Sequence, residues 1–167
     1  MESRTSSTMI TELKDYEIFV FGSNLSGRHG RGAAKQAMKW GAIYGRGNGL
    51  QGRTYAIPTK NYKLQTLAIE QIKMFVDTFI NFAKTNPQLI FLVTEIGTGL
   101  ANHKKENIAP LFKDAINIQN IHLPFSFWNI LNSITKSKLK TTCPICGSTH
   151  YIREGEYYQC TECMKMF

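Results

Sequence analysis

Short apolar runs recur through the first 128 residues and alternate with segments whose apolar residues have helical spacing. Brief apolar runs between polar turns are typical of buried strands, and apolar residues three or four positions apart are typical of helices. The pattern predicts strands over 17–22, 54–58, 89–95 and 121–126. It predicts helices over 32–41, 65–85 and 107–118. Because strands and helices alternate, we expect an α/β fold with a mixed, mainly parallel sheet and flanking helices.

The composition changes after this alternating part. Segment 129–141 is rich in Lys, Ser and Thr and predicts a short helix that continues into a basic linker. All four cysteines lie in the last part of the chain, 142–167. We therefore expect an α/β domain over 16–128, a basic linker over 129–141 and a small C-terminal module.

The cysteines form two Cys-x-x-Cys pairs, Cys143 with Cys146 and Cys160 with Cys163. Each pair can place two thiolates at adjacent corners of a tetrahedron, which predicts a zinc ribbon over 142–167 with a structural zinc ion. Two disulfides are the alternative. They are disfavoured because residues 1–15 lack the apolar segment of an export signal.

Two glycine-rich loops directly follow predicted strands: GSNLSGRHGRGAA over 22–34 and EIGTGLA over 95–101. Glycine lets a backbone approach a ligand closely, and the N–H groups at the start of a following helix favour anions. Two such loops at the carboxyl ends of parallel strands can hold a diphosphate between them. The candidate ligand-binding residues are Gly22, Asn24, Gly27, Arg28, His29, Gly30, Arg31 and Gly32 in the first loop and Gly97, Thr98, Gly99, Leu100, Ala101 and His103 in and after the second.

Several of these side chains have a second interpretation. Arg28, His29 and Arg31 form a cluster suited to phosphates, or are simply exposed loop residues. Asn24 can bind a ribose hydroxyl, or it can cap its own turn. His103 can touch a ribose or base, or it can be polar surface.

Lys60 ends the segment IPTK, directly after a predicted strand whose geometry is restricted by Pro58. A lysine in this place is a candidate nucleophile, or a fixed cation that donates to a ligand. Nucleophilic attack needs the neutral amine, which desolvation or a neighbouring cation such as Arg53 or Lys63 would favour. The alternative is a solvated lysine just past the end of a strand.

The formal net charge of +8 predicts an anionic partner such as a nucleotide or a nucleic acid, although basicity can also serve solubility alone. Lys136, Lys138, Lys140 and Arg153 would suit nucleic-acid phosphates near the cysteines. No apolar stretch reaches the length of a membrane helix, so we expect no membrane partner and a cytoplasmic location.

The three segments GSNLSGRHGRGAA, IPTK and EIGTGLA occur in an order and at a spacing that resemble macrodomains, the modules that bind ADP-ribose. The resemblance covers about 16–127. It is nearest to the branch with the DNA ADP-ribosyl glycohydrolase antitoxins and the terminal ADP-ribose protein glycohydrolase. It implies that Lys60 is catalytic and that the second loop cradles the phosphates and the distal ribose. The first loop is also similar to small phage and bacterial proteins, which implies the host cytoplasm if the protein is phage-encoded.

The chain departs from that branch at two positions of the second loop. Thr98 stands in place of the cysteine of a Gly-Cys-Gly motif, and Ala101 stands where the protein glycohydrolase has an acidic residue. The DNA-directed antitoxins lack that acid as well. We therefore expect a protein that recognises or sequesters ADP-ribose or a NAD-derived signal, as in a phage–host conflict. The alternatives are an ADP-ribosyl glycohydrolase that uses Lys60 on nucleic acid or protein, and a nucleic-acid-binding zinc-ribbon protein.

Overall fold

The structure is a computed structural model that describes residues 4–139, 143–154 and 157–166. The chain forms two compact units, Met1–Trp128 and Asn129–Phe167. The first unit confirms the expected mixed α/β architecture with a mainly parallel sheet. None of the helices in the described ranges has the length and apolar character needed to cross a bilayer.

Six strands form the sheet of the first unit, in the order β1-β6-β5-β2-β4-β3. Their bounds are β1 Thr5–Ser6, β2 Glu17–Asn24, β3 Gly49–Gln51, β4 Thr54–Lys60, β5 Ile90–Val93 and β6 Ile121–Pro124. All neighbours are parallel except β3, which is antiparallel to β4. The carboxyl ends of the five parallel strands consequently lie at one edge, which we call the carboxyl edge.

Four α-helices are described, α1 Gly32–Ala37, α2 Ile69–Lys84, α3 Lys105–Ile108 and α4 Phe125–Leu139. Two 3-10 segments follow α1 and α3, at Met38–Trp40 and Ala109–Ala115. The prediction of an α-helix over 107–118 is therefore wrong for most of that range, which is a 3-10 helix. Pro110 lies at the start of the second 3-10 segment, and its missing N–H cannot continue α-helical hydrogen bonding from α3.

Apolar residues cover both faces of the sheet. On one face the buried ring of Phe79 in α2 lies 5.1 Å from the ring of Tyr55 and 5.5 Å from that of Phe91. On the other face Phe19 and Phe21 pack in a cluster with α1. A strand that is covered on both faces needs apolar residues at consecutive positions. This explains the unbroken apolar run of β2, from Ile18 to Phe21.

Secondary structure extends past both predicted ends of the α/β domain, 16 and 128, although the first unit itself ends at Trp128. β1 precedes the predicted start at residue 16 and pairs with β6. Arg4 holds this strand in place, because its guanidinium donates to the carbonyl oxygens of Ile116 and Ile118 at 2.7 and 2.9 Å. α4 begins at Phe125, inside the strand predicted to reach 126, and runs through most of the predicted linker. Residues 140–142, which include Lys140, lie outside the described ranges.

Two glycines allow the segment 43–47 to lie directly against the first glycine loop. Gly27 has a φ of +64°, and a Cβ there would overlap the backbone nitrogen of Arg46. A Cβ at Gly47 would overlap the carbonyl oxygen of Asn24. Gly45 N donates to Gly27 O at 2.9 Å, so a hydrogen bond between backbone atoms joins the two loops at this close approach.

Gly27→Ala should lower the free energy of unfolding by at least about 2 kcal/mol, because the left-handed conformation and the overlap with Arg46 both oppose a side chain. Urea unfolding followed by circular dichroism measures this change. Gly30→Ala is the matched control, since a Cβ at Gly30 meets nothing within 4 Å; its effect should stay within about 1 kcal/mol. Equal stability of the two variants would contradict the contact.

Candidate functional site

A cavity of about 380 Å³ lies at the carboxyl edge and is lined from the ends of β2, β4 and β5. Because β2 pairs with both β4 and β5, the segments that follow these strands are neighbours. The cavity therefore brings together most of the residues that the sequence singled out. These are Gly22, Asn24, Arg28, Gly30, Arg31, Gly32, Lys60, Gly97, Gly99, Leu100 and Ala101.

Asn24 organises the first loop. Its Oδ1 accepts hydrogen bonds from Arg28 N at 2.9 Å and Ser26 Oγ at 2.7 Å, and its Nδ2 donates to Arg28 O at 2.9 Å. The amide therefore caps its own turn, which is the second of the two interpretations above, while Asn24 also lines the cavity. This turn fixes the backbone from which Arg28 projects.

Gly27 and His29 do not line the cavity. The His29 ring is 1% exposed and packs edge-on against Phe21, with 5.4 Å between ring centroids. Its Nε2 donates to Arg46 O at 3.1 Å, and its Nδ1 has no hydrogen-bond partner among the described residues. His29 is thus neither an exposed loop residue nor part of a cationic cluster with Arg28 and Arg31. It fastens the first loop to segment 43–47.

Thr98 and His103 also lie outside the cavity lining. Thr98 Oγ1 donates to Glu95 O at 2.9 Å, which closes the turn that begins the second loop. His103 N donates to Gly97 O at 3.0 Å, and its ring Nε2 donates to Leu67 O at 3.0 Å. These contacts shape the second loop and leave Gly99 and Leu100 exposed at the cavity.

A β-bulge at the end of β4 sets the position of Lys60. Ser23 pairs with Pro58, but the next residue, Asn24, pairs with Lys60, so Thr59 is the extra residue. Thr59 Oγ1 donates to Ser23 O at 3.1 Å and stabilises the bulge. Lys60 consequently lines the cavity, on the side of the first glycine loop away from the second loop, because β2 separates β4 from β5.

Arg53, one of the two cations expected beside Lys60, lies far from it. Arg53 precedes β4, whereas Lys60 ends it, so the strand length separates them by about 20 Å. Arg53 instead donates to the carbonyl oxygens of Leu13 and Lys14 and forms an ion pair with Asp15 at 3.8 Å. Arg53 therefore has no part in the cavity.

Three cationic side chains surround the cavity, those of Arg28, Arg31 and Lys60. Within the described ranges none of the three has a hydrogen bond or an ion pair through its side chain. Their charge is therefore available to an anion. The first turn of α1, which also lines the cavity, has no side-chain cap on its N–H groups.

Among the described residues that line the cavity, Glu95 alone is acidic, and sequence reasoning gave it no role. Its Oε1 accepts from Lys105 Nζ at 2.8 Å and from Ser126 Oγ at 2.6 Å. Partial burial acts to raise the pKa of Glu95, but these hydrogen bonds and the lysine charge outweigh it, so the pKa is lowered. Glu95 is therefore ionised at neutral pH and is balanced by Lys105, which leaves the cavity with excess positive charge.

Sequence reasoning missed further lining residues, namely Ser23, Ala33, Ala34, Thr59, Leu64, Thr94 and Ile96. Several of them, like Glu95, follow a strand at the carboxyl edge, and that position is the signal that would have found them. A second cavity of about 320 Å³ shares Thr94 and Glu95 with the first and is otherwise lined by hydroxyl-bearing residues and by Pro124 and Phe125.

The C-terminal unit holds the four cysteines beside a hairpin of two strands, β7 Tyr151–Glu154 and β8 Tyr157–Cys160. Cys143, Cys146, Cys160 and Cys163 are free thiols, and their Sγ atoms all lie within 4.8 Å of one another. Several hydrogen bonds, the largest from Cys163 N–H, together outweigh burial and lower the pKa of the Cys160 thiol to about 6, which favours its thiolate. The cluster is a candidate metal site.

No protein-family model, no curated protein and no solved structure matches this chain.

Proposed function

We propose that the cavity at the carboxyl edge binds ADP-ribose or an ADP-ribose-derived nucleotide, and that the protein recognises or sequesters this ligand. One observation carries the proposal: one cavity is lined by both glycine loops and by three cations that have no ion pair among the residues that the structure describes. The resemblance of the same segments to macrodomains is its second support. The volume of about 380 Å³ falls within the usual range of ligand pockets, about 300–1,000 Å³.

The diphosphate lies between 27–32 and 97–100 in this proposal. A Cβ at Gly30 or Gly99 would meet no protein atom within 4 Å, so the backbone at both positions is open to a ligand. Arg28 and Arg31 supply charge-assisted hydrogen bonds to the phosphate oxygens from the first loop. The loops are already fastened by Asn24, His29 and Thr98, so binding orders little additional chain.

Binding without efficient turnover is favoured because no carboxylate of the described cavity lining is free to act as an acid or base. Ala101 supplies no carboxylate, and Glu95 is held by Lys105 and Ser126. A hydrolase is the second candidate, because Lys60 lies in the cavity with no partner for its amine in the described part of the chain. In that case the neutral amine adds to C1″ of a ring-opened ribose, and the acceptor group leaves with a proton as the imine forms. Water then hydrolyses the imine, which releases ADP-ribose and restores the amine.

A structural zinc ion in the four-cysteine cluster completes the proposal. Tetrahedral zinc with Zn–S bonds near 2.3 Å places its sulfurs about 3.8 Å apart. The Sγ atoms of Cys143 and Cys163 lie 3.4 Å apart, and those of Cys146 and Cys160 lie 3.5 Å apart. Four thiolates fill the coordination sphere, so the ion stabilises the small unit and holds no open position for a substrate.

Gly99→Val should weaken the binding of ADP-ribose at least about tenfold, or 1.4 kcal/mol, because the added side chain occupies the space of the diphosphate. Isothermal titration calorimetry measures the affinity. Gln119→Val adds an exposed β-branched residue near the amino end of β6 and should leave the affinity unchanged. An unaltered affinity in a folded Gly99→Val protein would refute the diphosphate site.

Lys60→Ala should weaken ADP-ribose binding by about 1.5–3 kcal/mol through the loss of a charged hydrogen bond, with no ligand turned over by either form. Lys84→Ala removes an exposed lysine outside the cavity, in the last turn of α2, and serves as the matched control. Chromatography of an ADP-ribosylated oligonucleotide or peptide measures release. Rapid release of ADP-ribose by the wild-type protein but not by Lys60→Ala would show that the protein is a hydrolase and not only a binder. A borohydride-trapped adduct on the wild-type protein alone would support the same conclusion.

Purified protein should contain one zinc ion per chain by elemental analysis, and Cys160→Ser should lose it. Thr149→Ala changes an exposed residue of the same unit and should retain the ion. Chelation should unfold the small unit and leave ADP-ribose binding within about twofold, because the cavity is lined entirely from the first unit. Metal-free protein with two disulfides by mass spectrometry would contradict the site.

A further inference from the structure

The positive charge of the chain is concentrated in one segment. From Ile18 to Ile69 there is no Asp or Glu, and there are eight basic residues: Arg28, Arg31, Lys35, Lys39, Arg46, Arg53, Lys60 and Lys63. The other residues contain equal numbers of acidic and basic side chains, so this segment accounts for the whole formal net charge of +8. Its strands are β2, β3 and β4, which form one end of the sheet.

Some of these basic residues lie close together in the fold, at the carboxyl edge beside the cavity. Gly45 N donates to Gly27 O at 2.9 Å, which places segment 43–47 against the first loop. Leu25 N donates to Lys60 O at 2.9 Å, which places the turn after β4 on the same loop. We call the surface formed by these three segments the basic edge, and its residues are Arg28, Tyr44, Arg46, Tyr62 and Lys63.

The basic edge has two exposed aromatic rings. Tyr44 is 64% exposed and Tyr62 is 70% exposed, and within the described ranges neither ring contacts another ring or a cation. The cations Arg28, Arg46 and Lys63 are exposed too and have no ion pair among the described residues. Exposed rings and cations on neighbouring loops are suited to a polyanion that also carries aromatic groups.

The turns that carry these residues have fixed backbones. His29 Nε2 and Gln51 Nε2 both donate to Arg46 O at 3.1 Å. Asn61 Oδ1 accepts from the backbone nitrogens of Lys63 and Gln65 and holds the second turn. A ligand therefore meets rings on ordered loops, which lowers the entropic cost of binding.

We propose that the basic edge binds single-stranded nucleic acid. The cations contact successive phosphates, and the exposed tyrosines stack on unpaired bases. A duplex offers no unpaired base to the rings, so it binds more weakly than a single strand. Arg28 is shared with the cavity, whereas the other four residues lie outside its lining, so this surface needs no ADP-ribose group on the strand.

The test is fluorescence anisotropy of the full chain with a labelled oligothymidylate of about 20 nucleotides, longer than the site size of one such surface. Binding is measured over a series of salt concentrations. Tyr44→Ala should weaken it about tenfold, and Tyr44→Phe should retain it, because stacking needs the ring and not the hydroxyl. Arg46→Gln should reduce the slope of log affinity against log salt by about 0.7.

Two control variants lie at the opposite edge of the sheet. Lys39→Gln makes the same charge change as Arg46→Gln, in the 3-10 segment whose Trp40 accepts the backbone hydrogen bond of Arg53. Tyr16→Ala removes a half-exposed ring directly before β2. Neither control should change the affinity for the single strand.

Unchanged affinity in both Tyr44→Ala and Arg46→Gln would overturn the assignment, as would equal binding of polyglutamate or anionic phospholipid vesicles. Gly99→Val separates this inference from the nucleotide site, because it should lose ADP-ribose and keep the oligothymidylate. If ADP-ribose binds and the single strand does not, the basic edge has no such role and the nucleotide site stands. The reverse result leaves the basic edge and removes the nucleotide site.

Discussion

The parallel pairing of β2 with both β4 and β5 is the constraint on which the candidate site depends. It places three strand ends side by side, and each strand end contributes one part: the first glycine loop, Lys60 and the second glycine loop. The aromatic and aliphatic cores on both faces keep the sheet in register, since a shift of one residue would turn the apolar side chains of β4 away from α2. Burial around Phe19, Phe21 and Phe79 therefore determines where the polar groups of the cavity meet.

The central strands and the long helix were predictable because their signals are local. An apolar run between turns predicts β2 and β5, and helical spacing predicts α2, which begins and ends near the expected residues. The short polar strand β1 was not predictable, because Arg4 holds it through carbonyl groups more than a hundred residues away. The 3-10 segment at Ala109–Ala115 was missed because a proline at its start can equally begin an α-helix.

The candidate site was predictable in position but not in the role of each side chain. Glycines next to strand ends correctly indicated the two loops that line the cavity. Whether a polar residue faces the cavity or supports the loop depends on partners that are distant in sequence. His29 is buried because segment 43–47 covers it, and the ring of His103 donates to the carbonyl oxygen of Leu67, just before α2. Glu95 was overlooked because its partners, Lys105 and Ser126, lie on two later elements.

Segment 43–47 contributes its own backbone atoms, and not its side chains, to the hydrogen bonds that hold it. Its hydrogen bonds to the first loop run through Gly45 N and the carbonyl oxygens of Arg46 and Gly47, and the close approach needs only the absence of a Cβ at Gly27 and Gly47. The outward side chains of this segment therefore contribute little to its shape. Evolution can exchange Tyr44 or Arg46 for other residues while the loop keeps its conformation, so the chemistry offered beside the cavity can diverge faster than the fold that supports it.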